Sequence, residues 1–453
     1  MQLTILGGGG LRTPLFINGL AHANERQMFD RVVLFDNDTE RIELLGRLNQ
    51  YIVEQAGQPF ELVYTDNTKE AFAGTDFVFA AIRVGQDRSR VIDERVALKY
   101  DVIGQETTGP GGFAMALRTI PVMIEYGKAL KQYAPDAWFM NFTNPAGIIT
   151  QALSTVDIKA VGICDSPSGM KRRLATFLGK DNRDVEVSYF GLNHLGWISR
   201  VLVDGKDQMP YIIDHYEELS ANDAEFGCFD PELVRGLGLL PSEYLYYYYS
   251  NREAVRNIVS SGQTRGEQIE ALNNALMIQL RELMPKKQYA SALDAYTRTI
   301  GTRHQTYMQR EFEGRVEGRE DRAGEQVFSG GYEEVALGII SAVLQRDMAQ
   351  LILNVPNNGA IGGISAGDVV EVPTMVTNNQ LRPLAVGPLP PSVAGLVESV
   401  KQYERQTVAA ATEGDYRLAL DALAGHPLVP SFATAKKILD DYLREHGDFL
   451  PQF

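Results

Sequence analysis

Short apolar runs alternate with amphipathic stretches through the first third of the chain. Residues 2–6, 31–36, 60–64, 76–83, 137–141 and 159–164 are brief, mostly apolar and rich in β-branched and aromatic side chains, and they predict buried strands. Residues 13–22, 40–55, 113–132 and 146–155 repeat apolar positions at helical spacing and predict the helices between them. Strand and helix in strict alternation predict a doubly wound parallel sheet. Residues 84–112 are too long for a plain connection and are expected to form a functional loop. The pattern changes after residue 164. Residues 185–190 and 196–203 predict antiparallel strands, and 265–283, 331–346 and 391–413 predict helices. The expected class is therefore α/β, with a parallel-sheet domain over residues 1–165. A mixed α+β, largely helical domain over residues 166–453 would carry substrate, metal and subunit contacts. The charged, glycine-spaced stretch 310–326 predicts a solvated loop or lid.

Charge narrows the partners. Among 453 residues, 58 acidic against 43 basic side chains give a net charge of −15. That balance argues against nucleic acid and against an anionic membrane surface, and any anionic substrate requires a locally basic pocket. Two cysteines, Cys164 and Cys228, offer no disulfide framework and suit a reducing cytoplasm. The start of the chain has no basic leader, and no run of 18 apolar residues predicts a membrane span.

Gly7-Gly8-Gly9-Gly10 follows the first strand and precedes a helix. This is the setting in which glycines bring backbone N–H groups up to a pyrophosphate. Arg12 stands where the third glycine of a dinucleotide fingerprint falls. Asp36 ends the second strand, where a carboxylate accepts the ribose hydroxyls of NAD, although Asp38 is a competing carboxylate. These features make the first domain Rossmann-type, with Arg83 at the end of the fourth strand a further candidate for the cofactor. Cys164 ends the sixth strand and Asn193-His194 follows 30 residues on. A thiolate and an imidazole suit a divalent cation with open coordination positions. Asn144, after another strand, reads equally as a sugar ligand or a turn residue. Glu106, in the glycine-rich stretch 104–112, is a candidate tuning group. Most of Tyr244, Tyr246, Tyr247, Tyr248 and Tyr249 read as core or subunit contact, with one phenol a candidate base. Cys228, His22, His215, His426 and His446 read as structural; His304 is undecided.

Together, Gly7-Gly8-Gly9, Thr13-Pro14, Gly104-Gln105-Glu106-Thr107, Asn144-Pro145, Cys164-Asp165, Asn193-His194 and Asn354-Val355-Pro356-Asn357 resemble glycoside hydrolase family four over residues 1 to about 360. The resemblance implies NAD- and metal-dependent cleavage of glycosides by oxidation and elimination, an exception to two-carboxylate glycosidases. It implies Cys164 and His194 as ligands of a divalent metal, manganese for preference, Tyr244 as base and Asp165 as acid. Glu106 would raise the basicity of Tyr244, and Arg90, Asn144 and Arg265 would contact a 6-phosphorylated sugar. The runs 107–112 and 117–121 look most like the phospho-β-glucosidase branch. A phosphorylated disaccharide or aryl glycoside and a homo-oligomer, dimer or tetramer, are the implied partners. The competing readings are an NAD-dependent hydroxy-acid dehydrogenase, a non-catalytic NAD-binding module, and a family member acting on an α-glucoside, galactoside or galacturonide.

Overall fold

The computed structural model describes residues 1–23, 28–308, 311–312, 332–344, 348–377, 379–451 and 453. Six N-terminal strands are β1 (Gln2–Leu6), β2 (Arg31–Phe35), β3 (Glu61–Thr65), β4 (Phe77–Ala80), β5 (Trp138–Asn141) and β6 (Lys159–Gly162). They pair in parallel in the order β3-β2-β1-β4-β5-β6. β1, β4 and β5 are buried along their whole length, because helices cover both faces of a parallel sheet. The strand order reverses between β1 and β4, so a ligand crevice opens at their C-terminal ends. Phe16 stacks on Phe79 at 4.3 Å beneath that crevice, and Phe79 on Phe142 at 6.0 Å. Each such ring contributes about 2–3 kcal/mol by leaving water.

The sheet does not stop at residue 165. β7 (Val185–Leu192) and β8 (Leu195–Val203) form a separate antiparallel hairpin, but β9 (Ala349–Pro356), β10 (Val369–Thr377) and β11 (Gln380–Pro383) continue the first sheet beyond β6. Their pairings are antiparallel, and β9 meets β6 through Asn354 opposite Gly162. Chain from the second half thus completes the sheet next to the end of β6.

Residues 84–112 are not the expected loop. They contain the helix Gln86–Leu98, whose buried positions include Ser89, Arg90, Asp93 and Glu94. A helix that buries ion pairs instead of an apolar stripe leaves no hydropathy signature. Asp93 takes both terminal nitrogens of Arg118, at 2.8 and 2.5 Å, and Nε2 of His446 at 2.8 Å. Arg118 also donates to the Val84 carbonyl, so the C-terminal helix Phe432–His446 is tied to the chain leaving β4. The stretch 310–326 lies outside the described residues except for 311 and 312, and the ends of the expected helix 331–346 lie outside them too. Among the described residues, no helix is long and apolar enough to cross a membrane.

Candidate active site

The crevice is a cleft of about 890 Å³, lined by the glycine turn, the ends of β2 and β4, and residues from the helical half. Gly7 has φ +88°, and a Cβ there would come within 2.5 Å of the Ala81 carbonyl oxygen, so the turn tolerates only glycine at that point. The Asp36 carboxylate accepts the N–H groups of Gly9 (2.9 Å) and Asp38 (3.0 Å), and burial raises its pKa against those two donors. Asp38 instead caps the helix Thr39–Gln55 and accepts from Gln86, which leaves Asp36 as the carboxylate at the turn. Arg12 lies over the Phe142 ring at 5.6 Å and lines the cleft with Gly7, Gly10, Arg83 and Asn144. A glycine cradle, a carboxylate at the end of β2 and a cleft of this size fit a dinucleotide.

Past the end of β6, Cys164 and Asp165 lead directly into the helix Ser166–Phe177. His194 is the second residue of the two-residue turn that closes β7 on β8, with φ +60°. Its ring lies flat on Tyr244, with centroids 3.6 Å apart and planes 7° from parallel. Cys164 lies close enough to act on the Tyr244 phenol electrostatically, so both expected ligands flank the expected base. Thr107 Oγ1 meets His194 Nδ1 at 3.0 Å, which leaves Nε2 as the ring nitrogen that could face a cation. Burial, opposed by Glu106, lowers the His194 pKa to about 3, so the ring is neutral, as ligation requires. Burial, with Glu371, Asp165 and Glu243 nearby, pushes the Cys164 thiol well up. A divalent cation bound at the sulfur would favour its thiolate against that burial. The donor set fits such a cation. Among the described residues no group of three or more His, Cys, Asp or Glu side chains is placed to hold a metal ion.

Two of the expected residues are held in ion pairs. Arg90 is buried and committed, with Nε 2.8 Å from Glu94 and Nη1 3.0 Å from Glu106. Its guanidinium joins the helix Gln86–Leu98 to the loop that carries Glu106. Glu106 pairs with Arg83 at 2.6 Å as well as with Arg90. Burial would raise its pKa, but the two arginines outweigh burial and hold it below the usual carboxylate range. Burial, Glu243, Cys164 and Asp165 push the Tyr244 phenol well up, and Glu106 opposes the effect of burial on His194. Arg265 differs from Arg90. Its guanidinium donates to Gln268 Oε1 (2.7 Å), Thr306 Oγ1 (2.6 Å) and the Arg303 carbonyl (2.6 Å), all neutral acceptors.

Sequence reasoning missed several neighbours. Burial, Arg12 and Arg90 hold Arg303 down to about 10, and burial, Arg12 and Arg303 hold His304 at about 4. Arg12, Arg265 and Arg303 thus crowd local positive charge around a neutral His304, within an acidic chain. Tyr307 donates to the Tyr244 hydroxyl at 3.1 Å. Glu243, raised to about 8 by burial and Glu225, has both oxygens 2.8 Å from Ser166 Oγ. Glu371 accepts from Tyr189, Asn193 and Asn354 and pins the turn that carries His194. Its signal was a carboxylate inside the apolar run of β10.

Residues 2–180 match the family described as family 4 glycosyl hydrolase, and residues 189–429 match its C-terminal domain. The chain belongs to glycoside hydrolase family 4. A probable 6-phospho-β-glucosidase of Bacillus subtilis is 34% identical, over all of this chain and 98% of the relative. A maltose-6′-phosphate glucosidase of Clostridium acetobutylicum is 30% identical, over all of this chain and 99% of the relative. The crystal structure of the 6-phospho-β-glucosidase of Thermotoga maritima with manganese, NAD+ and glucose-6-phosphate superposes with a TM-score of 0.82 at 27% identity, covering both chains completely. Membership of this family decides against the hydroxy-acid dehydrogenase and the non-catalytic NAD-binding module.

Proposed function

We propose that this family 4 enzyme hydrolyses 6-phosphoglycosides, with 6-phospho-β-glucosides the preferred class and NAD and Mn2+ as cofactors. The observation that carries the reading is the Tyr244 ring stacked on His194, with Cys164 acting electrostatically on its phenol. When bound, NAD supplies a hydride acceptor and donor for the sugar C3, and the divalent cation supplies a Lewis acid for sugar oxygens. Gly7, Gly8, Gly9, Gly10, Arg12 and Asp36 hold NAD, with Arg83 bracing the cleft wall through Glu106. Cys164 and the Nε2 atom of His194 would hold the cation. Tyr244 takes the C2 proton, which a neighbouring ketone makes acidic, and the aglycone leaves C1 by elimination; water then adds across C1 and C2, with a proton returned to C2, and reduction at C3 restores the sugar and the oxidised cofactor. Asp165, next to Cys164, delivers a proton to the departing oxygen. Asn144 and Arg265 orient the sugar and its phosphate, with Arg265 the stronger anion contact. Substrates are phosphorylated disaccharides or aryl glycosides.

The β preference rests on the likeness of residues 107–112 and 117–121 to that branch, since elimination through C2 does not depend on the anomer. Residues 1–165 form the cofactor unit and 166–453 the substrate, metal and subunit-contact unit of a homodimer or homotetramer. A phosphorylated substrate and two buried cysteines outside any disulfide suit the cytoplasm. The test compares kcat/KM for matched aryl β-glucosides with and without a 6-phosphate. A preference of tenfold or more for the phosphorylated substrate is expected, and equal efficiencies would remove the phospho-sugar assignment.

A further inference from the structure

The loop before the helix Gly109–Tyr133 settles where a single hydrogen sits. Gln105 Oε1 lies 2.6 Å from the backbone N of Thr107, 2.7 Å from the backbone N of Thr108 and 3.0 Å from Thr107 Oγ1. Backbone N–H groups only donate, so the side-chain atom facing them is the amide oxygen and not its nitrogen. An amide oxygen has no hydrogen to give, so the Thr107 hydroxyl directs its one hydrogen at Gln105. The same Oγ1 meets His194 Nδ1 at 3.0 Å. With its hydrogen already committed, Oγ1 faces that nitrogen as an acceptor, and Nδ1 must carry the ring hydrogen. In a neutral imidazole the lone pair then resides on Nε2.

We propose that Gln105 and Thr107 are positioning residues that lock His194 in the Nδ1–H tautomer, so that Nε2 presents its lone pair to a divalent cation. The lock is built into the backbone. A Cβ on Gly111 would come within 2.1 Å of the Gln105 carbonyl oxygen, and one on Gly112 within 2.4 Å of the Thr107 carbonyl oxygen. The helix start therefore seats the loop only because both positions are glycine. From the opposite side, Asn193 donates to Glu371 and accepts from Gly147 N, and the Tyr244 ring covers one face of the imidazole. These contacts fix the residue before His194 and pack one face of its ring.

The value of the lock to the cation rests on the reading of His194 as a ligand; the tautomer itself does not. The test uses NAD-loaded, metal-free protein labelled with 15N-histidine. His194→Gln identifies the His194 resonances among six histidines. The wild type should show Nδ1 protonated and Nε2 bare. Thr107→Val keeps the shape and removes the acceptor, so Nε2–H should become populated. Mn2+ affinity, read by electron paramagnetic resonance without substrate, should fall about 10- to 100-fold, the usual effect of losing a group that orients a metal-bound histidine. Thr107→Ser should preserve the wild-type tautomer and Mn2+ affinity. NAD affinity in each variant should stay within about twofold of wild type, the expected result if the hydroxyl acts on His194 alone. An Nε2–H tautomer in the wild type overturns the lock, as does a Thr107→Val protein with wild-type tautomer and Mn2+ affinity. Undiminished Mn2+ binding by His194→Gln, with Nδ1–H still seen in the wild type, would instead sink the ligand reading and leave the tautomer standing.

Discussion

Replacing Arg265 and Arg90 by Met should damage the protein in two different ways. Arg265 donates to three neutral acceptors within a crowded cationic patch, so a phosphate is the counter-charge it lacks among those partners. A charge-assisted hydrogen bond to phosphate contributes about 1.5–3 kcal/mol. At about 1.36 kcal/mol per decade, Arg265→Met should raise KM for a 6-phosphorylated glucoside roughly 10- to 150-fold. KM for the unphosphorylated glucoside should change little. Arg90 is already neutralised. Its side chain is 8% exposed and lies between Glu94, 1% exposed, and Glu106. Arg90→Met leaves Glu94 buried without its cation, while Glu106 keeps Arg83 at 2.6 Å. Breaking a buried pair from one side costs about 3–5 kcal/mol, so the loss should appear in urea unfolding and not as selective loss of phosphate recognition. The paired assays are urea unfolding and KM for the two glucosides, run on both variants. An Arg265→Met enzyme with an unchanged KM for the phosphorylated substrate would refute the reasoning. So would an Arg90→Met enzyme as stable as wild type that has lost phosphate discrimination.

Cys164→Ser should weaken Mn2+ binding by at least tenfold, because serine does not ionise as a thiol does, while NAD affinity measured by calorimetry stays unchanged; wild-type Mn2+ affinity would contradict the ligand assignment. Gly112→Ala forces Cβ against the Thr107 carbonyl and should destabilise the protein by about 1–3 kcal/mol. Mn2+ affinity should drop alongside stability in a titration of that variant, since Thr107 is displaced. Burial raises Glu371 to about 7 from an ordinary 4.5, against the pull of its three donors. Folded protein therefore keeps that proton where the unfolded chain has lost it. The contribution is complete below about pH 4.5 and vanishes as pH rises through about 7. Glu371→Gln should flatten the fall in urea stability between pH 5 and 8 by on the order of 3 kcal/mol, and equal slopes would show that the carboxyl is not raised.

Apolar runs made β1 to β6 legible, because strands buried on both faces read as continuous hydrophobic segments. The run 76–83 overshoots β4, which ends at Ala80; Ala81, Ile82 and Arg83 leave the sheet to line the cleft. The helix Gln86–Leu98 was hidden because its buried face is held by Arg90, Asp93 and Glu94 through charge. The return of β9 to β6 was hidden because a strand's pattern does not state which sheet it joins. Cys164, His194 and Tyr244 were legible as motifs, and the structure adds what holds them: Thr107 on one ring nitrogen, Tyr307 on the phenol, and Ser166 and Glu371 on neighbouring chain. Those partners are brought together only by folding, Asn193 and Glu371 across 178 residues. That Arg90 is paired with two carboxylates while Arg265 donates to neutral acceptors was not readable from sequence, since those partners meet only in the fold.

The central claim is that the glycosidic bond is cut by elimination after Tyr244 removes the C2 proton. The most direct measurement supplies the wild-type enzyme with NAD, Mn2+ and an aryl 6-phospho-β-glucoside in deuterated water. The account predicts aglycone release with no net accumulation of NADH, and one deuterium at C2 of the glucose 6-phosphate formed. Tyr244→Phe should slow aglycone release and deuterium incorporation together by about two to four orders of magnitude. Product with protium retained at C2, formed at the full wild-type rate, would contradict the account.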